Sequence, residues 1–325
     1  ISISNAGRIS ATANGLYATA AGIHAYDQYD GTVSITTAST SVISATANGD
    51  YGSAFGIYAN AAYDNVVISN AGSITAGASD ASGFSAGIVA FSAYGTSISN
   101  TGTIGATGSD PWAIVSYSGG NTAITNGSSG ILNGAIYTTN GNDSLTNSGR
   151  WNVGNANASY FGGGSDTITN NTGARIFMDD STIDMGYSEG SSNSFLNNGQ
   201  LYANGDNVID MGGSTSVFTN NGSSIHMDDA DVNDTLTIYG DFAGTGHIVV
   251  NASGTSLLAD RLYIEGDVVT NTANVIDVKL LSGPSIADML AGETIEIVHV
   301  SGTSTAANFN IGIVTPPFDE LYTVE

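Results

Sequence analysis

Ile68-Ser69-Asn70-Ala71-Gly72-Ser73-Ile74 is the stretch that decides how this chain folds. It runs apolar residue, Ser or Thr, Asn, spacer, Gly, polar residue, apolar residue. The same phrase stands at Ile3-Ser4-Asn5-Ala6-Gly7-Arg8-Ile9, at Ile98-Ser99-Asn100-Thr101-Gly102-Thr103-Ile104 and at Leu145-Thr146-Asn147-Ser148-Gly149-Arg150-Trp151. It returns at Phe195-Leu196-Asn197-Asn198-Gly199-Gln200-Leu201 and at Phe218-Thr219-Asn220-Asn221-Gly222, with looser copies from Ile124 and Ile168 and a degenerate one from Ile35. The Asn positions 70, 100, 126, 147, 170, 197 and 220 step by 30, 26, 21, 23, 27 and 23 residues. Repeats of that period mark stacked architectures.

Apolar residues alternating with Ser or Thr have the period of a half-buried strand. Asn and Gly tolerate a left-handed backbone, so Asn-x-Gly predicts a sharp left-handed corner. One repeat cannot bury its own apolar face; stacking repeats about 4.8 Å apart closes that face into a column. Corner Asn residues then lie over one another and can form an amide ladder. A second phrase, small-small-Ile, recurs at Ala21-Gly22-Ile23, Phe55-Gly56-Ile57, Ala86-Gly87-Ile88, Trp112-Ala113-Ile114 and Gly134-Ala135-Ile136, and predicts another stacked strand. The expectation is an all-β, right-handed parallel β-helix of about ten coils, a rod on the order of 50 Å long. Longer coils occupy 1–125 and shorter ones 126–231.

After residue 231 the corner phrase gives way to longer strand runs. Two of them, 234–242 and 260–268, carry a strand-Gly-Asp phrase; others follow at Val275-Ile276-Asp277-Val278 and at 294–300. Residues 284–291 read as a turn or two of helix capped by Ser285, and Pro316-Pro317 as the end of the rod or a linker. Residues 232–325 are therefore expected to form a β-rich C-terminal cap.

Composition fits. There are 43 Gly but 4 Pro, without the strict triplet of collagen. Apolar residues make up 41%, enough for a core. Five Lys and Arg against 29 Asp and Glu give a net charge of −24. Such a chain repels nucleic acid and anionic headgroups, which both need a basic patch. With no Cys, disulfides and thiolate chemistry are excluded. No run reaches the roughly 20 apolar residues of a membrane helix, and no basic-then-apolar leader opens the chain. Ile1 already sits inside a strand pattern, which reads as a piece of a longer precursor.

The corner repeats resemble the passenger domains of autotransporters, the type V secreted surface proteins of Gram-negative bacteria. The segment from Asp234 to about Gly312 is similar to the C-terminal end of such passengers: the two strand-Gly-Asp phrases, the Ala259-Asp260-Arg261-Leu262 step and Gly-Glu-Thr-Ile-Glu-Ile-Val at 292–298 carry the likeness. The resemblance implies a cell-surface or extracellular rod, a membrane β-barrel in the full precursor, an autochaperone-like role for 232–325, and adhesion or self-association as the task. The implied partners are a surface glycan, a protein receptor or sister copies.

Candidate sites are few. Tyr26, Tyr29, Tyr58, Tyr63, Tyr94 and Tyr117 recur near the corners of the early coils and suit a recognition surface, since Tyr offers a rigid ring with a polar tip. Asp228, Asp229, Asp231 and Asp234 are candidate calcium ligands, although a solvated boundary loop explains them as well. Asn140-Gly141-Asn142-Asp143 and Gly163-Gly164-Ser165-Asp166 look like pieces of a Gly-rich calcium repeat, but they stand singly, and Asp in the place of a corner Asn is the plainer reading. No cofactor is expected. His24, His226, His247 and His299 fall in separate coils, without a partner at a telling spacing. Arg8 and Arg150 follow the corner Gly in a slot held elsewhere by Ser73, Thr103, Gln200 and Ser223, an outward polar position. The sequence thus points to a structural or adhesive protein and not an enzyme. The alternatives are a polysaccharide lyase or glycosidase, which needs paired carboxylates in a groove, and an extracellular filament subunit.

Overall fold

The computed structural model describes residues 1–315 except 81, 155, 156, 214, 270 and 283–293. Its strands form three long sheets, each taking one strand from every coil, so neighbours in a sheet come from successive coils and run parallel. Sheet A has ten strands, among them Val66–Asn70, Thr96–Asn100 and Thr122–Asn126. Sheet B follows a path of twelve, including Ser73–Ala78, Thr103–Thr107 and Ser224–Met227, with Leu258–Ala259 paired antiparallel beside it. Sheet C has eleven, including Ser53–Ala61, Phe84–Ser92 and Asp110–Ser118. This is a parallel β-helix, slightly longer than the expected ten coils.

Each sheet points one apolar column inward. In sheet A, Ile3, Ile35, Ile68, Ile98, Ile124, Leu145, Ile168, Phe195, Phe218 and Phe242 lie in consecutive register. Sheet B stacks Ile74, Ile104, Leu132, Trp151, Ile176, Leu201, Ile225 and Ile248. In sheet C, the Ile of small-small-Ile forms the column Ile23, Ile57, Ile88, Ile114 and Ile136. The interior residues are fully buried and form one core from Ile23 to Val278. The change of composition after residue 231 does not interrupt pairing: Ser224–Met227 bonds His247–Ser253, which bonds Asn274–Ser282. Of the expected strand at 294–300, Val298–Val300 is extended and paired. The helix read at 284–291 and the prolines at 316 and 317 lie outside the described residues.

The Asn ladder is present. Asn70 Nδ2 donates to Asn100 Oδ1 at 2.8 Å, Asn100 to Asn126 at 2.8 Å, and Asn126 to Asn147 at 2.8 Å. Asn147, Asn170 and Asn197 continue to Asn220 at 2.9, 2.8 and 3.1 Å. The second amide hydrogen of each donates to a backbone carbonyl nearby, as Asn70 does to Thr103. Gly244 occupies the next ladder position, and Asn274 reaches into that space to accept from Asn220 at 3.2 Å.

The left-handed corner is corrected. Of the six Asn-x-Gly copies, Gly222 has positive φ, 68°; Gly7, Gly72, Gly102, Gly149 and Gly199 do not. Glycine is required there for another reason. A Cβ on Gly102 would sit 1.9 Å from the Gly72 carbonyl oxygen of the adjacent coil. The stacking distance itself excludes a side chain.

Candidate functional site

The outward face of sheet C carries an aromatic stripe across successive coils. Residues alternate in and out along a strand, so Val89 and Phe91 point away from the core that Ile88 and Ala90 enter, and Phe84 packs against the same outer cluster. Phe55 and Tyr58 occupy the coil before, Trp112, Val115 and Tyr117 the coil after. Ring centroids lie 5.5 Å apart for Tyr58 and Phe91, 4.7 Å for Phe91 and Tyr117, 5.5 Å for Tyr117 and Tyr137, and 5.7 Å for Tyr137 and Tyr160. His24 sets its edge against Tyr58 at 4.8 Å, and Trp112 does the same against Tyr137 at 6.0 Å. Where planes are parallel, as at Phe91 and Tyr117 (19°), the ring faces cover each other and edges remain for a partner. Where planes are tilted by 50–56°, as at Phe55, Phe84 and Tyr137, part of a face stays open. Burial raises the phenol pKa of Tyr117 and Tyr160, helped by neighbouring Tyr137, so both hydroxyls stay protonated and able to donate.

Of the six expected tyrosines, the structure places Tyr58 and Tyr117 in this stripe. Tyr26 shares its register column, in line with Asn60, Phe91 and Tyr117. Tyr29, Tyr63 and Tyr94 are exposed in the turns that follow sheet C, outside the ring contacts. Phe55, Phe84, Phe91, Trp112, Tyr137 and Tyr160 complete the surface; a search confined to Tyr in the early coils missed the first four for their residue type and the last two for their place. The signal was there in Phe84 and Phe91 flanking the small-small-Ile phrase.

A second ladder runs up the outer face of sheet B. The Arg150 guanidinium lies 4.3 Å over the Phe177 ring, Phe177 stacks on Tyr202 at 4.7 Å, and Tyr202 on His226 at 4.8 Å. Here an expectation fails: His226 does have partners. Its Nε2 lies 2.8 Å from Ser224 Oγ and its Nδ1 2.8 Å from Asp228 Oδ1. Ser224 and His226 project from one strand and Asp228 directly follows its end, a pattern readable as Ser-x-His-x-Asp. Asp228 also pairs with Lys279. His247 bonds Asp277 at 2.6 Å and His299 bonds Glu296 at 3.2 Å. The polar slot after the corner is outward as expected, with Arg8, Ser73, Thr103, Arg150, Arg175 and Gln200 in it; its next occupant is Ser224, not Ser223.

The acidic residues divide. Asp228 is drawn away by Lys279 and His226, whereas Asp229, Asp231 and Asp234 bring one carboxylate oxygen each within 4.8 Å of the others. Asp143 and Asp166 are interior residues in the same column. Thr122 N donates to Asp143 at 2.5 Å, Asp143 N to Asp166 at 2.7 Å, and Asp166 N to Asn193 Oδ1 at 2.8 Å. Both stand in a column with Thr122, Asn193 and Ser216 and not in the place of a corner Asn, because the corner amides stack at the other end of the same strands. Burial raises Asp143 and pushes Asp166 up to about 7. It likewise pushes Asp260 up to about 7 and Asp234 to about 6. A groove of about 480 Å³ on the outer face of sheet B is lined by Ser44, Thr46, Thr75, Gly105, Thr107 and other small residues, none of them acidic.

No protein-family model and no curated protein matches this chain. The likeness to autotransporter passengers accordingly rests on its repeat phrases.

Proposed function

We propose that this chain is a rigid surface rod of the autotransporter-passenger kind, displayed outside a Gram-negative cell, that adheres through the aromatic stripe on sheet C. The stripe is the observation that carries the reading. The interior is already filled by its own Ile, Leu and Phe columns, so Phe55, Phe84, Phe91, Trp112 and Tyr117 are additional apolar area on the outside. Tyr117 is exposed and the other four are half-buried against one another, and a contiguous apolar patch that reaches solvent marks a contact surface. With a net charge of −24, the rod repels sialylated or sulfated chains. A neutral glycan fits best: its C–H faces stack on open ring faces and its hydroxyls meet protonated Tyr tips. The full chain is expected to bind neutral glycans on an array or on cells. Phe91→Ser combined with Tyr117→Ser is expected to lower that binding at least tenfold while leaving the circular dichroism unchanged. Binding indifferent to the double substitution, or binding to protein receptors alone, would sink the glycan reading.

A second reading, ester hydrolysis, is favoured by the Ser224, His226 and Asp228 hydrogen-bond chain. With Nδ1–H donating to Asp228, His226 Nε2 can take the Ser224 proton as Oγ attacks an ester carbonyl, and return it to the departing alcohol. Water then releases the acyl group by the same proton route. Against it, the strand pairs on both sides, so its own backbone N–H groups are committed to the ladder and supply no oxyanion donors. A fluorophosphonate probe distinguishes the two: labelling of Ser224 that disappears in His226→Ala supports hydrolysis, and an unlabelled chain removes it.

A further inference from the structure

We propose that the loop joining Ser224–Met227 to Thr235–Tyr239 binds a hard divalent cation, with calcium as the fitting ion, through Asp229, Asp231 and Asp234. The chain there reads Asp229-Ala230-Asp231-Val232-Asn233-Asp234, with an oxygen-bearing side chain at every second position and one more at the end. The three carboxylates converge within 4.8 Å although two are exposed and the third is interior.

The interior member gives the cluster its meaning. Asp234 is 2% exposed. Its Oδ1 accepts the Gly205 N–H at 2.6 Å, and its own N–H donates to Asp260 Oδ1 at 3.2 Å. Those two bonds tie the residue to the coils on either side, and the side chain cannot swing out to water without giving up the Gly205 bond. Its Oδ2 is buried and receives no hydrogen bond among the described groups. The Asp229 carboxylate lies against it, with Asp231 close by. A buried carboxylate with a second one against it is repelled unless a positive charge or a proton stands between them. Arg261 stands beside Asp234 in the register, but its guanidinium donates to the Tyr263 hydroxyl, and Lys279 is engaged by Asp228. A bound cation supplies the missing charge.

Calcium suits this arrangement better than magnesium. It takes 6–8 oxygens in loose geometry, which a fixed interior carboxylate, two solvent-facing ones and water can provide; magnesium asks for a tight octahedron. Because Asp234 holds Gly205 of the preceding coil, the ion would also clamp that corner of the rod between sheets B and C. This inference is independent of the adhesive reading.

The test is calorimetric titration of calcium chloride into the full chain at neutral pH, with thermal unfolding in calcium and in EDTA. One ion per chain is expected, with Kd on the order of 10⁻⁴–10⁻³ M, as in extracellular calcium modules, and a higher unfolding midpoint in calcium. Asp229→Asn with Asp231→Asn is expected to weaken binding at least tenfold without lowering the unfolding midpoint in EDTA, because both side chains are on the surface and their removal relieves the repulsion on Asp234 in the ion-free chain. Asp234→Asn keeps the Gly205 bond and is expected to abolish the calcium response. No heat and no midpoint shift up to about 10 mM calcium overturns the site, as does binding that survives the double substitution. So does an Asp234→Asn chain that is more stable than the parent in calcium, since Asp234 would then be holding a proton.

Discussion

Two buried polar columns run along opposite ends of the sheet A strands, and they differ in chemistry. At the C-terminal ends stand the amides of Asn70 to Asn220, each donating to the next and to a backbone carbonyl. At the N-terminal ends stand Thr122, Asp143, Asp166, Asn193 and Ser216, and from Asp143 onward each side chain accepts the N–H of its predecessor in the column. An amide has a donor and an acceptor, so it satisfies both neighbours in a stack. A carboxylate has acceptors only. Asn193 shows what its slot offers the second atom: its Nδ2 donates to the carbonyls of Met185, Gly186 and Met211. Asp143 and Asp166 put Oδ2 in that slot, and both oxygens are without a hydrogen-bond partner. Desolvation raises both pKa values, Asp166 to about 7, and a proton on the acid supplies the missing donor. An amide meets the needs of such a column at any pH, whereas an acid meets them only while it holds its proton.

The comparison can be broken hardest at the ladder. Asn147→Ala should leave the amides of Asn126 and Asn170 half-paired in the dry interior, a loss of about 3 kcal/mol or more in denaturant unfolding. A smaller effect would mean that water replaces the amide. Gly102→Ala should cost about 2 kcal/mol by forcing adjacent coils apart at the Gly72 carbonyl. That substitution separates close approach from backbone conformation, because φ at Gly102 is one that Ala accepts freely.

The acidic column sharpens it through pH. In the unfolded chain a carboxyl ionises near pH 4. In the folded chain Asp166 keeps its proton to about 7. The folded state thus binds more protons between those values, and stability falls as pH rises through that window. Asp166→Asn should remove this part of the slope. It should be stabilising by about 1 kcal/mol at pH 8 and near neutral at pH 5. A parental chain whose urea midpoint is flat from pH 4 to 8 would contradict the neutral-acid account. Smallest of all is the expected stability change for Tyr117→Ser, within about 0.5 kcal/mol, because that ring lies outside the core and its loss should register in binding instead.

Much of this was legible in the residues. The repeated Asn phrase and the spaced Ile residues gave strands, stacking and the ladder, since alternation and a fixed period depend on sequence alone. Asn274 escaped notice because it reaches the ladder from another sheet, through the space above Gly244. The aromatic surface was half visible: Tyr58 and Tyr117 were found, while Phe91 and Trp112 went unremarked until the stacked coils placed them beside those rings. His226 seemed alone because its partners were sought in distant segments, and they stand two residues away on either side.

By itself the sequence determined a parallel stack with a dry interior, because only superposed repeats bury residues spaced in this way. The tertiary structure decided which groups share a face across coils. Register, set by coil length, placed Phe91 beside Tyr117, and Asp234 under Asp260 and against Asp229. Those neighbours are 26 residues apart or five, and what brings each together is the closing of a turn of the rod or a bend in a loop, which no local pattern encodes.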